Sequence, residues 1–248
     1  MNNVIGMSTG SLYVCCRSFD ERISIFNEAG VDSIELLFGQ SCELNAKLSD
    51  KSIETLHNYS FVSIHSPFKN DFGDSFNYCK DIQTRKVLDK IQTFYDDFSA
   101  KAVVVHPNQV SDWNVFFDYD FKVSVENMPK KHGVELKDLE QIMNYFQQFS
   151  LVLDTAHALT YSVSFLQDIV NCFADRISHV HLSDRRYSDY FESVKDHQLF
   201  SGCTDLSKFN VVKSLSCPNI IEIQIIDDEN FKQTVFDEIS FVKNYFKK

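Results

Sequence analysis

Histidine and carboxylate side chains stand at the ends of six successive apolar segments of this sequence. In chain order, these residues are His65, His106, Glu126, Asp154, His181 and Glu222. His157 follows Asp154 by three positions, and a Lys195-Asp196-His197 stretch follows His181. Imidazole nitrogens and carboxylate oxygens are the ligands that zinc and manganese ions take from proteins. The pattern therefore predicts a metal site at the point where the ends of these segments meet.

The segments that carry these residues have the composition of buried strands. Most are nearly continuous apolar runs, as in a parallel sheet that is covered on both faces. The eight candidates are residues 4–7, 33–38, 61–65, 101–106, 121–126, 151–154, 177–182 and 219–224. Stretches with helical apolar spacing lie between them, and one of these opens with a capping-box pattern from Ser18 to Glu21 and stops at Gly30.

The repeat of strand and helix favours a closed barrel. Eight units in 248 residues average about 31 residues each, which is typical of a (β/α)8 TIM barrel, with an open doubly wound sheet as the alternative. Only residues 107–120 separate the fourth and fifth strand candidates. Because this stretch is too short for a full helix and two loops, we expect a shortened or missing helix there.

Composition predicts one globular domain over residues 1–248. Hydrophobic residues make up 44% of the chain and charged residues 24%, and no apolar run approaches the roughly 18 residues of a membrane span. Seven cysteines without a CxxC pair point to a reducing, cytoplasmic location. The net charge of −11 repels phosphate backbones and anionic lipid surfaces, so it does not favour DNA and we expect no membrane partner.

Charge balance bounds the number of metal ions. The strand ends of a TIM barrel surround one cavity, where several carboxylates without counter-ions would repel one another. Four carboxylates, those of Glu126, Asp154, Asp196 and Glu222, are available, together with five histidines. Two divalent ions would balance these charges, and three would leave a positive site for a hydroxide and a phosphodiester. We therefore predict two or three Zn²⁺ ions, with Mn²⁺ as the other candidate, in preference to Mg²⁺ or Ca²⁺.

Three nearby residues have structural interpretations. His179 shares a strand face with His181 but lies one layer deeper, which predicts a core or supporting group. Asp154 could also cap a helix that starts at Thr155. The sequence leaves the role of Glu35, in the second strand, open.

Seven motifs resemble, in order and spacing, those of the endonuclease IV family of xylose isomerase-like TIM barrels. They are Ile64-His-Ser-Pro-Phe68, Val105-His-Pro107, Val125-Glu-Asn127, Leu153-Asp-Thr-Ala-His157, His179-Val-His-Leu-Ser-Asp184, Asp196-His197 and Ile221-Glu222. The resemblance implies zinc ligands at His65, His106, Glu126, Asp154, His157, His181, His197 and Glu222. Lys195 occupies the place of a family aspartate and Asp196 lies one place away, so this further ligand position stays open between the two residues.

Two enzyme functions follow from this site. The resemblance implies a metal-dependent phosphodiester hydrolase, and six basic residues after the third, fifth and seventh strands could contact a phosphate, among them Arg185 and Arg186 as substrate-binding residues. The other four are Lys69, Lys130, Lys131 and Lys195. The alternative is a sugar or sugar-phosphate isomerase or epimerase with one Mn²⁺ ion, in which Glu126 and Glu222 exchange a proton as the catalytic pair.

The resemblance also implies, more specifically, that DNA could be the substrate. Phe68 and Trp113 could act as wedges in a duplex, while the acidic net charge predicts weak binding to phosphate backbones. A binding module that docks a protein partner through its acidic surface is a third class. The sequence determines neither the substrate nor the oligomeric state.

Overall fold

Eight parallel strands form a closed barrel in the computed structural model, which describes residues 3–187, 194–226 and 229–247, with the backbone alone for 186, 187 and 194–196. The strands in chain order are β1 Ile5–Ser8, β2 Ser33–Leu37, β3 Phe61–His65, β4 Ala102–Val105, β5 Val123–Glu126, β6 Ser150–Asp154, β7 Ile177–Leu182, β8 Asp184–Tyr187, β9 Val194–Gln198 and β10 Asn219–Ile221. Strands β1 to β7 follow one another around the barrel, and β10 pairs with both β7 and β1 to close it. The predicted (β/α)8 TIM barrel is confirmed, and the open sheet is wrong.

Helices cover the outside of the barrel. The α-helices are α1 Phe19–Glu28, α2 Asp50–His57, α3 Ile82–Asp97, α4 Leu136–Tyr145, α5 Thr155–Leu159, α6 Val163–Phe173 and α7 Phe231–Lys247. The 3-10 helices are Thr9–Leu12, Ser41–Asn45, Pro107–Gln109, Trp113–Phe116, Lys130–His132, Ala174–Arg176, Phe200–Gly202 and Leu206–Ser214. Helix α1 begins where the sequence predicts, because the Ser18 hydroxyl accepts a hydrogen bond from the Glu21 N–H. No helix in the described ranges is both long and apolar enough to cross a membrane.

The fourth unit lacks its helix, as predicted. Two 3-10 turns, Pro107–Gln109 and Trp113–Phe116, connect β4 to β5. Trp113 packs against Phe146 and Phe149 at ring distances of 5.9 and 5.7 Å. Since Phe149 directly precedes β6, this contact lies at the N-terminal end of the barrel. The interpretation of Trp113 as a wedge at the active face is therefore wrong: the ring completes an aromatic cluster at the opposite end.

The seventh unit is extended by a hairpin that the sequence does not predict. Strands β8 and β9 pair antiparallel beyond the end of β7, outside the barrel sheet. A 3-10 helix, Leu206–Ser214, then replaces an α-helix before β10. The hairpin returns the chain to the C-terminal end of the barrel and carries His197 there.

Small residues make room in the barrel interior. At Gly6, in β1, a Cβ atom would lie 2.2 Å from Ser33 Oγ and 2.5 Å from the Ser33 carbonyl oxygen. It would also lie 2.7 Å from Cδ1 of Ile220 in β10. Such distances are too short for carbon, so β1 can approach both neighbouring strands because residue 6 has no side chain.

We expect Gly6→Ala to lower the free energy of unfolding by about 1–3 kcal/mol, because overpacked cores shift backbone and side chains. Gly39→Ala is the matched control, since its Cβ would make ordinary contacts of 3.5 Å and longer. Chemical denaturation of both variants checks the prediction, and equal stabilities would contradict it.

Candidate metal centre

Glu126, the last residue of β5, is the central side chain of the cavity at the C-terminal end of the barrel. Its Oε2 atom lies 3.0 Å from His106 Nε2 and 3.3 Å from His65 Nε2. Its Oε1 atom lies 3.2 Å from His157 Nδ1 and 3.5 Å from His181 Nδ1. The two oxygens of one buried carboxylate thus face two separate pairs of imidazoles. This arrangement suits a carboxylate that bridges two cations.

The structure places all eight predicted ligands in this cavity, in three groups with shared members. The groups are His65, His106 and Glu126; Glu126, Asp154, His181 and Glu222; and Asp154, His157 and His197. Within each group, one ligand atom from every residue lies within 4.8 Å of the others. Glu126 and Asp154 each belong to two groups. The three groups therefore form one continuous centre that could hold more than one ion.

Imidazoles and carboxylates balance one another in this centre. Burial would raise the pKa of Glu126, but His106 and His181 hold it well below its ordinary value. Burial would also raise the pKa of Glu222, but the nearby His181 lowers it to about 2. Burial lowers the pKa of His157, but Asp154 and Glu126 outweigh it and raise that pKa to about 9. The pKa of His181 is raised as well, so protons on His157 and His181 offset part of the carboxylate charge in the metal-free protein, whereas burial lowers the pKa of His106.

Two buried polar atoms of the centre make no well-directed hydrogen bond within the described part of the chain. They are His181 Nδ1 and Asp154 Oδ2, which lie 3.9 Å apart. His181 Nδ1 is also 2.9 Å from Glu222 Oε2. Buried polar atoms are nearly always paired, so two that converge with a second carboxylate indicate a position for a cation. The nitrogen and oxygen donors present here fit zinc or manganese.

Glu35, in β2, supports the centre from the layer beneath it. Its Oε2 atom accepts hydrogen bonds from His181 Nε2 at 3.0 Å, His179 Nε2 at 3.3 Å and Ser63 Oγ at 3.0 Å. Burial would raise the pKa of Glu35, but the facing His181 keeps it well below its ordinary value, so the group is an ionised acceptor. The Nε2 atom of His181 therefore carries a proton, which leaves its Nδ1 atom as the one that would bind a cation once its own proton is displaced. Carboxylates often orient metal-binding histidines in this way.

His179 lies one layer below His181, where the sequence places it. It is fully buried, and its ring contacts Phe61 at 5.2 Å as well as Glu35. The role of Glu35, which the sequence leaves open, depends on β3 and β7 and so emerges only from the barrel. Its one sequence signal is a carboxylate inside the otherwise apolar run of β2.

Asp154 has both of the roles that its position suggests. Its Oδ1 atom accepts a hydrogen bond from the His157 N–H at 2.6 Å and so caps α5, while its Oδ2 atom faces the cation position. Asn127, which directly follows β5, pairs through its amide with the backbone N–H and carbonyl of Asp154 at 2.7 and 2.9 Å. Asn127 therefore fixes two ligand-bearing strands relative to each other.

His197 reaches the centre from β9. Its Nδ1 atom lies 3.2 Å from the Glu222 carbonyl oxygen and 3.9 Å from Asp154 Oδ2. The residue has a φ of +56°, a left-handed conformation that is uncommon for residues other than glycine. The side chains of Lys195 and Asp196 lie outside the described part of the structure, so the further ligand position between them stays a prediction.

The cavity above the centre has a volume of about 560 Å³. Lys69, Lys131 and His132 contribute cationic or polar groups to its wall, and Phe68 and Met128 contribute apolar ones. The Phe68 ring is stacked on His106 at 5.7 Å. A negatively charged ligand with a small apolar part would match this wall.

Arg185, a predicted substrate-binding residue, contacts the end of α5. Its Nη1 atom donates a hydrogen bond to the Leu159 carbonyl oxygen at 2.9 Å, at the end of α5. Neither Arg185 nor Lys130 belongs to the described wall of the cavity. The guanidinium of Arg185 thus links β8 to α5, and its role in substrate binding stays a prediction. The side chain of Arg186 lies outside the described part of the structure.

No protein-family model and no curated protein matches this chain by sequence. Three solved structures do resemble it along almost its whole length. A D-tagatose 3-epimerase-like protein has 20% sequence identity and a TM-score of 0.63, covering 98% of this chain and 99% of its own. A xylose isomerase domain containing protein from Salmonella typhimurium LT2 has 13% identity and a TM-score of 0.71, covering 100% and 98%. An IolI protein with a bound zinc atom has 15% identity and a TM-score of 0.65, covering 97% and 95%.

The chain shares the (β/α)8 TIM-barrel fold of these three structures. Identities of 13–20% show the fold alone, so the chemistry must be argued from the site itself.

Zinc affinity should rise with pH between about 6 and 9. The pKa of His157 is about 9 without metal, and a neutral imidazole is needed for binding, so zinc must displace a proton. Each proton displaced makes the apparent dissociation constant about tenfold smaller per pH unit. Competitive titration with a chelator of known pH dependence measures this slope, and a flat profile would contradict the ligand assignment.

Glu35→Gln should weaken zinc binding by about tenfold to a hundredfold, because a neutral amide is a weaker acceptor than the ionised carboxylate that now orients His181. The matched change is His179→Gln, which we expect to lower the melting temperature while zinc affinity stays near that of the wild type. Chelator competition and thermal melts of the two variants separate these effects. Loss of affinity in His179→Gln with none in Glu35→Gln would reverse our assignment of the two residues.

Proposed function

We propose that this protein is a phosphodiester hydrolase that uses at least two transition-metal ions, with zinc as the principal metal. The observation that carries this proposal is the division of the Glu126 oxygens between the His65–His106 pair and the His157–His181 pair. A single ion bound by Glu126, Asp154, His181 and Glu222 would leave His65 and His106 without a metallic role. The resemblance of the ligand motifs to the endonuclease IV family supports the same conclusion.

The residues of the centre are suited to holding cations against a phosphodiester. When bound, the ions would supply Lewis-acid stabilisation of phosphoryl oxygens and acidify a water molecule. Glu126 and Glu222 have lowered pKa values and so remain ionised ligands at neutral pH. Lys69 and Lys131 lie on the cavity wall, where positive charge would attract an anionic substrate to a protein of net charge −11. Phe68 and Met128 would exclude water from one side of the ligand.

A second candidate is a metal-dependent sugar or sugar-phosphate isomerase or epimerase. The group of Glu126, Asp154, His181 and Glu222 is by itself a complete four-ligand site. The fold neighbours also include an epimerase-like protein. In this function Glu126 and Glu222 would transfer the proton, a task for which a pKa near the working pH is best. We place this function second because it assigns no role to His65 and His106, which face the other oxygen of Glu126.

Metal content and two variants distinguish these functions. We expect at least two zinc ions per chain in protein purified without chelator, and loss of phosphodiesterase activity when His65 and His106 are both replaced by Ala. Glu126→Gln should also abolish activity while the circular dichroism spectrum stays that of the folded protein. Elemental analysis, together with hydrolysis of a chromogenic phosphodiester, measures both. One ion per chain, with sugar isomerisation that survives the His65 and His106 changes, would establish the isomerase instead.

Whether DNA is the phosphodiester substrate is a more specific question within this proposal. The net charge of −11 disfavours a phosphate backbone, and of the six basic residues considered, Lys69 and Lys131 are the ones that the structure places on the cavity wall. We therefore expect hydrolysis of a small phosphodiester to exceed nicking of an abasic duplex at about 0.15 M salt. Parallel assays of the zinc-loaded protein on the two substrates test which one is hydrolysed faster. Efficient nicking of the duplex would contradict this expectation and indicate a duplex-binding surface beyond the described cavity wall.

A further inference from the structure

We propose that Glu238, on the C-terminal helix α7, is a positioning residue that keeps His197 in the metal centre. The inference rests on the metal centre of the proposed function, although it does not depend on which substrate is hydrolysed. Glu238 is 1% exposed and lies outside the three ligand groups. Its connection to the site is a single turn of the chain, Phe200–Gly202, which begins three residues after His197.

The carboxylate of Glu238 binds the backbone of this turn. Its Oε1 atom accepts hydrogen bonds from the N–H groups of Phe200 and Ser201, and its Oε2 atom also accepts from the Ser201 N–H, at 3.2 Å. These bonds satisfy the two N–H groups, which a buried backbone would otherwise leave unpaired. Helix α7 thus fixes the main chain directly after β9.

The side chain of Phe200 fastens the same turn to the core. It is fully buried, and its ring lies 4.8 Å from Phe209 and 5.2 Å from Tyr245 of α7. The turn therefore has two independent attachments, one to its backbone and one to its side chain. The ring alone would leave the backbone free to rotate about it, whereas the carboxylate fixes the direction of the N–H groups.

His197 needs such a fixed neighbour because its backbone is strained. A φ of +56° is unfavourable for a residue with a Cβ atom and persists only where the surrounding structure imposes it. On one side, the His197 carbonyl accepts a hydrogen bond from the Gln224 N–H at 2.9 Å. On the other side, the Glu238 clamp holds the chain three residues further on. Without the clamp, His197 could relax to an ordinary conformation, and its ring would leave the group that it shares with Asp154 and His157.

The test compares zinc binding in Glu238→Ala with that in His197→Ala. We expect Glu238→Ala to weaken zinc binding at the Asp154, His157 and His197 group by about tenfold to a hundredfold. This is the usual effect of losing a group that orients a metal ligand. The other bound zinc should keep its affinity. Glu238→Gln, whose amide oxygen can still accept from one N–H group, should restore part of the lost affinity.

A matched control separates positioning from stability. Val235 lies on the same helix and is fully buried, so Val235→Ala should lower the melting temperature without changing zinc binding. The double variant Glu238→Ala, His197→Ala should bind zinc no more weakly than His197→Ala alone, because Glu238 acts on zinc binding through His197.

Chelator competition in the purified full chain gives all of these affinities, and Co²⁺ spectra report loss of an imidazole ligand. Unchanged zinc affinity in Glu238→Ala, additive losses in the double variant, or no effect of His197→Ala would each overturn the proposal. Absence of phosphodiesterase activity with the expected zinc affinities would instead refute the proposed function and leave the role of Glu238 intact.

Discussion

The structure depends on the neutralisation of carboxylates inside a closed barrel. Glu35, Glu126 and Asp154 are all buried, and the side chain of Glu222 is only 13% exposed. Isolated charges in such surroundings are strongly unfavourable, so each carboxylate must face a cation or a hydrogen-bond donor. The histidines at the strand ends satisfy this need when protonated, and bound metal ions would satisfy it in their place. Stability and metal binding are therefore linked through the same side chains.

This constraint explains why the layer beneath the ligands is also polar. Glu35 accepts hydrogen bonds from Nε2 of His179 and His181. This contact directs the Nδ1 atom of His181 toward Asp154 and Glu222. Ser63 completes the set of donors around the carboxylate. Polar side chains thus replace some apolar packing at the centre of the barrel. In return, they fix the orientation of His181 from the layer beneath it.

The hydrolase and isomerase functions differ in the use of two histidines. The mononuclear group of Glu126, Asp154, His181 and Glu222 would serve either chemistry. His65 and His106 face the other oxygen of Glu126 and would extend that group into a centre for further ions. The hairpin β8–β9 adds His197 from outside the barrel sheet, so the third group depends on contacts with α7 that the barrel itself does not require.

The sequence by itself determined the barrel and its ligand-bearing strand ends, because both are local patterns. Apolar runs ending in His65, His106, Glu126 or Asp154 can be recognised one at a time, and the short stretch 107–120 leaves no room for a helix. Tertiary structure decided what depends on distant parts of the chain. Trp113 joins an aromatic cluster at the other end of the barrel, and Arg185 bonds to the end of α5. Glu35 and Glu238 carry no motif, and their roles arise only because closure of the barrel places His181 and the Phe200–Gly202 turn against them.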